Sequence, residues 1–351
     1  MALSNRFPAL DGLRAIAVAL VMVGHAGHWL PLGSLGVAVF FVLSGFLITG
    51  LLLKEVHDSG TIRLGRFYVR RSLRIMPAAF TFLFVAWLIL HGSPANPPSG
   101  EWLASVFYYN DYYVAVHPRP GTQITHTWSL AVEEQFYLLW PALLLWRHRR
   151  GVTTVRRDLV LSILAVWIWR GSLAGVVPPH YMQFAFDTRC DFLAFGCLLA
   201  VSRDTRRFRG LAELAHQHRW LPVLPILGLG VLTAVMMSIP TRPLAISYPL
   251  EGVLIALLVH HLLAAQWRWL DHPVMRRLGT LSYSLYLYHL LASHLTDTFW
   301  HGRWGVSVVG MGVALMLAWA SYEWIERPLL RWRDHRFPAR DLIRVAHQVA
   351  L

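Results

Sequence analysis

Ten stretches of about 20 residues, each sparse in acidic and basic side chains, recur along the chain at 9–29, 35–53, 75–91, 128–146, 158–177, 183–201, 220–239, 246–265, 279–298 and 305–324. A helix rising about 1.5 Å per residue needs roughly that length to cross the hydrocarbon core of a bilayer. Inside hydrocarbon the backbone has to satisfy its own hydrogen bonds, which a helix does within one segment. The expected fold is therefore all-α, a polytopic membrane protein with about ten transmembrane helices. The apolar share of 56% and the charged share of 15% exclude an ordinary soluble enzyme, whose charged share is about 25%. Sixteen Trp, 12 Tyr and 17 Phe residues exclude a disordered chain. Two cysteines, Cys190 and Cys197, form neither a disulfide framework nor a four-ligand zinc site and read as small core residues. No metal site is expected.

The net charge of +13 raises the question of nucleic acid, and the placement of the basic residues answers it. All but Lys54 are arginine. With the N-terminus taken as cytoplasmic, 26 of the 32 basic residues fall on that side, in groups at Arg6, Lys54–Arg74, Arg147–Arg157, Arg203–Arg219, Arg268–Arg277 and Arg327–Arg344. Only Arg119, Arg242 and Arg303 fall on the other. Such asymmetry is what the positive-inside rule produces, so both termini are expected in the cytoplasm, with the bilayer rather than nucleic acid as the partner. The first span begins too close to Met1 and lacks a small-residue cleavage site, so it reads as a retained membrane helix and not a signal peptide. Residues 1–351 read as a single transmembrane domain with no additional soluble domain. An outer loop at about 92–127 opens with a Gly/Pro/Ser cluster and turns aromatic. Two readings stand for it: a lid or acceptor-binding surface, and a re-entrant packing segment.

Arg14, Arg170 and Arg189 lie inside the predicted hydrocarbon layer, where an unpaired charge costs several kcal/mol. Arg14 shares the first helix with His25. Eleven residues turn the helix through almost three full turns, so both point to one face, about 16 Å apart along the axis. A cation thus sits toward the cytoplasm and a titratable base toward the outside. Glu133, about 7 Å below the outer end of the fourth span, matches His25, about 6 Å below it, and could orient the imidazole. Glu134 is the adjacent alternative, and an ion pair of either with Arg170 or Arg189 is the structural one. Asp187, Arg189 and Asp191 at the outer end of the sixth span could bind polar sugar groups or neutralise one another. Tyr283, Tyr286 and His289, spaced by three, share a helix face and are expected to line the same cavity. Glu326, Arg327 and Pro328 read as the stop of the last helix.

The stretches LDGLRAIAVALVMVGHAG (10–27), LGVAVFFVLSGFLITGLLL (35–53), RFYVRRSLRIMPA (66–78), THTWSLAVEEQFYLLWPALL (125–144), DTRCDFLAFGCLLA (187–200), LGTLSYSLYLYHLL (278–291) and EWIERPLLR (323–331) resemble the bacterial acyltransferase 3 family, in order and over nearly the whole chain. The Arg-x10-His pair and the WSLAVEEQFYLLWP block are its specific parts. The resemblance implies a multi-pass O-acyltransferase of the bacterial inner membrane that modifies surface polysaccharides or other glycoconjugates. Arg14 and His25 would be functional, as would the Arg-x-x-Arg pair Arg71 and Arg74. It further implies an acyl-CoA co-substrate, most often acetyl-CoA, with no tightly bound cofactor, and a carbohydrate or glycolipid hydroxyl as acceptor.

That implication fits the chemistry of the residues. Arg71 and Arg74 offer planar, permanently charged forks for the donor's phosphates, with Arg14 farther along the donor's path toward the thioester, although Arg70 shows that topology alone also accounts for basic residues there. A hydroxyl becomes a competent nucleophile as its proton is taken, and an imidazole suits that task, so His25 is the expected general base, with an acyl-His variant left open. Ser44 lacks the Gly-x-Ser-x-Gly setting of a nucleophile elbow and reads as a helix-packing residue. The rival class is a secondary transporter of a polar or anionic solute, which also needs buried Arg, His and Glu but usually shows duplicated halves.

Overall fold

The computed structural model describes residues 8–27, 29–117, 121–218, 220–239, 243–264, 267–299 and 303–337. Arg6, Arg119, Arg219, Arg242, Arg340 and Arg344, which enter the charge asymmetry, lie outside them. Among the described residues all regular structure is helical: α1 (Pro8–Ala26), α2 (Leu30–Ser59), α3 (Leu64–Leu90), α4 (Ser99–Val106), α5 (Asn110–Val116), α6 (Trp128–His148), α7 (Val152–Leu173), α8 (Pro179–Phe184), α9 (Phe186–Ser202), α10 (Arg206–Gln217), α11 (Val223–Ser238), α12 (Leu244–Ala264), α13 (Pro273–Phe299), α14 (Arg303–Ser321) and α15 (Arg327–Arg336). Five stretches are long and apolar enough to cross a membrane: Ala9–Ala26, Leu30–Ser59, Leu64–Leu90, Leu244–Ala264 and Val308–Arg336. The other expected spans coincide with helices that are shorter or more polar.

Helix α2 is central, packed against α1, α6, α9, α11 and α12, while α13 packs against α1, α3 and α14. Between apolar helices in lipid there is little hydrophobic gain from contact, so close backbone approach carries the packing. Glycine supplies it at three seams. A Cβ at Gly45 of α2 would overlap the carbonyl of Leu193, and one at Gly196 of α9 would overlap the carbonyl of Val42. Gly36 against the Ala17 carbonyl does the same between α1 and α2, and Gly279 against Asp11 between α1 and α13. Cys197 lies in the α2–α9 seam, buried, its Sγ 3.7 Å from the Gly45 carbonyl.

Several boundaries differ from the sequence expectation. The span expected at 183–201 is two helices, α8 and α9, because Ala185 is extended (φ −65°, ψ 141°). Residues 206–217, expected as a connector, form α10, capped by the Thr205 hydroxyl accepting from Phe208 N at 3.2 Å. Glu326, Arg327 and Pro328 do not stop the last helix. A π-helical turn at Tyr322–Glu326 leads straight into α15, and Pro328 falls in its first turn, where a missing N–H is tolerated.

The described residues of the 92–127 connection fold into α4, α5 and a 3-10 turn held by side-chain hydrogen bonds. Glu101 accepts hydrogen bonds from Thr122 (2.9 Å) and Thr125 (2.7 Å), and Asn110 donates to Thr127 at 2.9 Å. Gln135 of α6 donates to Asp111 at 2.9 Å. Asn110 and Asp111 are fully buried.

Candidate active site

Helices α1, α2, α3, α6, α13 and α15, with the π-helical turn, converge on a cavity of about 740 Å³. Arg14 comes from α1, Ser44 from α2, Arg71 and Arg74 from α3, Ser129 and Glu133 from α6, and Arg276, Arg277, Ser282, Tyr283 and Tyr286 from α13. Arg71 and Arg74 share a face because three residues bring a helix nearly back to the same side. In all, five arginines face three carboxylates, Asp11, Glu133 and Glu326, so the cavity carries a net positive field suited to an anion. Arg276 and Arg277 complete the arginine set. They had been read as topology charges, and no feature of the sequence brings them to Arg74; only the α1–α3–α13 packing does.

Individual arginines are held without being consumed. Arg14 donates from Nε to Ser282 at 3.3 Å, and the Arg71 guanidinium stacks on the Tyr137 ring at 3.9 Å. Stacking leaves the N–H edges of a guanidinium directed outward, toward oxygen acceptors. Arg71 also lies within electrostatic reach of Glu133 and Glu134.

The expected His25–Glu133 pair does not form. Both Glu133 oxygens accept from hydroxyls, Oε1 from Ser44 at 2.7 Å and Oε2 from Tyr137 at 3.0 Å. Ser44, read as a packing residue, is thus tied to the cavity's carboxylate. Glu134 Oε1 is buried with no hydrogen-bond partner among the described residues. Neither glutamate pairs with Arg170, which bonds Asp191 at 2.7 Å and the Thr188 carbonyl.

The reason is axial depth. Helix α1 ends at Ala26, followed by Gly27, three residues short of the expected end, so His25 sits in its last turn. The residues before α6, Thr125–Thr127, form a buried 3-10 turn that carries His126 to the level of His25. Glu133, seven residues on, is about 10 Å deeper at helical rise.

In place of a carboxylate, His25 meets histidine. His289 Nε2 lies 3.3 Å from His25 Nδ1, with ring centroids 4.9 Å apart, and His126 stacks edge-on against His289 at 5.1 Å. A carbonyl only accepts, so two contacts fix the tautomers. His289 Nδ1, 2.6 Å from the Tyr286 carbonyl, must carry a proton, leaving Nε2 as an acceptor. His25 Nδ1, 2.9 Å from the Val21 carbonyl, must also carry one, shared with His289. The lone pair of His25 therefore resides on Nε2. His126, outside the spans, is buried, and burial together with the nearby His25 pushes its pKa down to about 3, so it is neutral. The sequence reading missed His126; the signal available was its position just ahead of WSL, three residues from Ser129.

The remaining candidates divide. Tyr283 and Tyr286 line the cavity; Tyr283 donates to the Ile75 carbonyl at 2.9 Å. Tyr286 donates to the His126 carbonyl at 2.8 Å and lies 2.7 Å from the Ser129 hydroxyl, closing the cavity one turn of α13 before His289. Asp187, Arg189 and Asp191 do not line it. Asp187 accepts from Trp169 (2.7 Å), Tyr181 and Tyr112 in the first turn of α9. Arg189 is fully buried among the rings of Tyr248, Phe192, Trp128 and Phe41, at 4.2 to 5.9 Å.

The model of the acyltransferase domain family matches residues 7–323. A Staphylococcus aureus (strain COL) protein named "Putative O-acetyltransferase" is 31% identical over 98% of this chain and 61% of its own length. A Bacillus subtilis (strain 168) protein named "Putative peptidoglycan O-acetyltransferase" is 29% identical over 96% of this chain and 57% of its own. The peptidoglycan O-acetyltransferase of Listeria monocytogenes is 28% identical over 92% of this chain and 55% of its own. The chain thus spans under two thirds of the length of these relatives. No solved structure matches.

Proposed function

Because this chain belongs to the acyltransferase 3 family, we propose that it is a membrane O-acyltransferase that moves an acetyl group from cytoplasmic acetyl-CoA to a sugar hydroxyl of a cell-envelope glycan. The relatives named for peptidoglycan O-acetylation support that acceptor class. The chain crosses the inner membrane ten times with both termini in the cytoplasm, an orientation that the arginine asymmetry supports.

One observation carries the reading: an arginine-lined cavity on one side of the Tyr286–Ser129 pair and a base of fixed tautomer on the other. The phosphates of the donor lie among Arg74, Arg276 and Arg277 at the open end, with Arg71 and Arg14 further along its path. The pantetheine arm runs toward Tyr286. His25 Nε2 takes the proton of the attacking hydroxyl as the new ester bond forms and the thioester C–S bond breaks, and CoA leaves as thiolate or thiol. The imidazolium so formed is held through Nδ1–H by the Val21 carbonyl and by His289, the positioning role first assigned to Glu133. Glu133, tied to Ser44 and Tyr137, instead balances Arg71 inside the cavity.

Steady-state kinetics on purified protein in lipid vesicles test the donor assignment. Arg71→Ala with Arg74→Ala is expected to raise KM for acetyl-CoA at least 10-fold while KM for the acceptor moves less than 2-fold, the loss of two charge-assisted contacts. An unchanged KM for acetyl-CoA would return both residues to topology.

A secondary transporter shares the buried cation and histidines, but nothing in the order of the described helices shows the duplicated halves that such a fold usually carries.

A further inference from the structure

We infer that a second, smaller cleft beside His25 holds a hydroxyl-bearing arm of the saccharide acceptor, an inference that rests on the acyl-transfer reading above and names the acceptor's place in it. The cleft lies between the start of α2, α8, the end of α11 and the start of α12, the end of the molecule where α1 finishes. It shares no lining residue with the arginine cavity.

Its polarity is what a ligand has to explain. Ser34 Oγ, Ser247 Oγ and Glu251 Oε1 all line the cleft, all are buried, and none has a hydrogen-bond partner among the described residues. Ser247 and Glu251 are 3% and 8% exposed. Three orphaned polar atoms in one small space would cost on the order of 1–3 kcal/mol each if left empty. The Gln183 amide adds donors and an acceptor, and the Tyr248 ring, Pro31 and Leu244 add an apolar wall. A sugar offers that combination: hydroxyls that both donate and accept, on a ring with an apolar C–H face.

Other chemistries fit less well. An acyl chain would leave the orphans unpaired, and an anion would meet the Glu251 carboxylate. A cation would be opposed by Arg189 and Arg170, which lie within electrostatic reach of Glu251. The free space of about 30 Å³ admits one hydroxyl or hydroxymethyl group, so the sugar ring itself lies outside, over Pro31. The imidazole is close at hand. Gly33, which precedes Ser34, lies against the His25 ring, with 3.7 Å from a built Cβ to Cε1. A saccharide anchored at Ser34 thus presents a neighbouring hydroxyl to His25.

Equilibrium binding of chitopentaose to the full chain in detergent tests this directly. Ser34→Ala with Gln183→Ala leaves the buried charges of α9 and α12 untouched, and Ser247→Ala serves as the second variant. The intact protein is expected to bind the pentamer, with affinity falling at least 10-fold in the double variant and 3-fold or more in Ser247→Ala, while CoA binding stays within 2-fold. Unchanged chitopentaose affinity in both variants, the mark of a cleft that holds water only, would overturn the inference, as would no binding by the intact protein. Binding that the variants abolish, in a protein that transfers no acetyl group, would uphold the cleft and overturn the transferase reading instead.

Discussion

Among the described residues, the Val21 carbonyl and His289 Nε2 accept from His25 Nδ1, and neither is charged. A neutral acceptor orients the ring as well as a carboxylate does but stabilises the imidazolium less, which favours prompt return of the proton. His289→Ala is therefore expected to lower kcat about 10²-fold with little change in either KM, and His289→Gln, whose amide oxygen can accept from Nδ1–H, to recover part of the loss. Equal damage by both variants would mean that His289 only packs. His126 sets a different dependence. Its folded pKa of about 3 lies below the ordinary value of 6.5, so the unfolded chain binds the extra proton and stability falls as pH drops below 6.5. At pH 5 the loss amounts to about 2 kcal/mol. His126→Phe keeps the ring against Phe82, 5.4 Å away, and removes the titration. Thermal unfolding between pH 7 and 5 is expected to be flatter in that variant than in the parent, and parallel curves would exclude His126 as the acid-sensitive group.

Elements rather than residues decided what the sequence could reveal. Charge inside an apolar run is visible in one dimension, and Arg14 and Glu133 were legible on that basis, Tyr286 by its spacing of three from Tyr283 and His289, and Arg71 through the family resemblance. Partner choice was not, because depth depends on where helices end. The early stop of α1 and the buried turn before α6 together left Glu133 about 10 Å deeper along the helix axis than His25 and brought His126 to its level, while His289 took the partner's place. Arg276 and Arg277 were invisible for another reason: their role arises from the α13 register against α1, set where Gly279 meets Asp11. The same logic makes the glycine seams testable. Gly45→Val would drive a branched side chain into the Leu193 carbonyl of α9, so the variant is expected to lose several kcal/mol and aggregate on extraction, whereas Gly50→Ala, on the same helix with open space around it, should extract as the parent does. Monodisperse Gly45→Val protein on size-exclusion chromatography would show that α2 and α9 do not pack through this seam.

For the whole molecule, two compartments meet across one hydroxyl pair. In the proposed reaction the arginine cavity serves a polyanionic donor, the cleft at the start of α2 serves a saccharide, and Tyr286 with Ser129 lies between the cavity and the histidines. The most direct measurement encloses [14C]acetyl-CoA in vesicles carrying the protein with its cytoplasmic face inward, adds a glycan acceptor outside, and follows label on the glycan. The account expects labelled glycan with stoichiometric release of free CoA thiol inside, and a fall of at least 10³-fold in His25→Ala vesicles of equal protein content. Labelled glycan formed at the parent rate by His25→Ala protein, or solute movement with no thioester consumed, would contradict it.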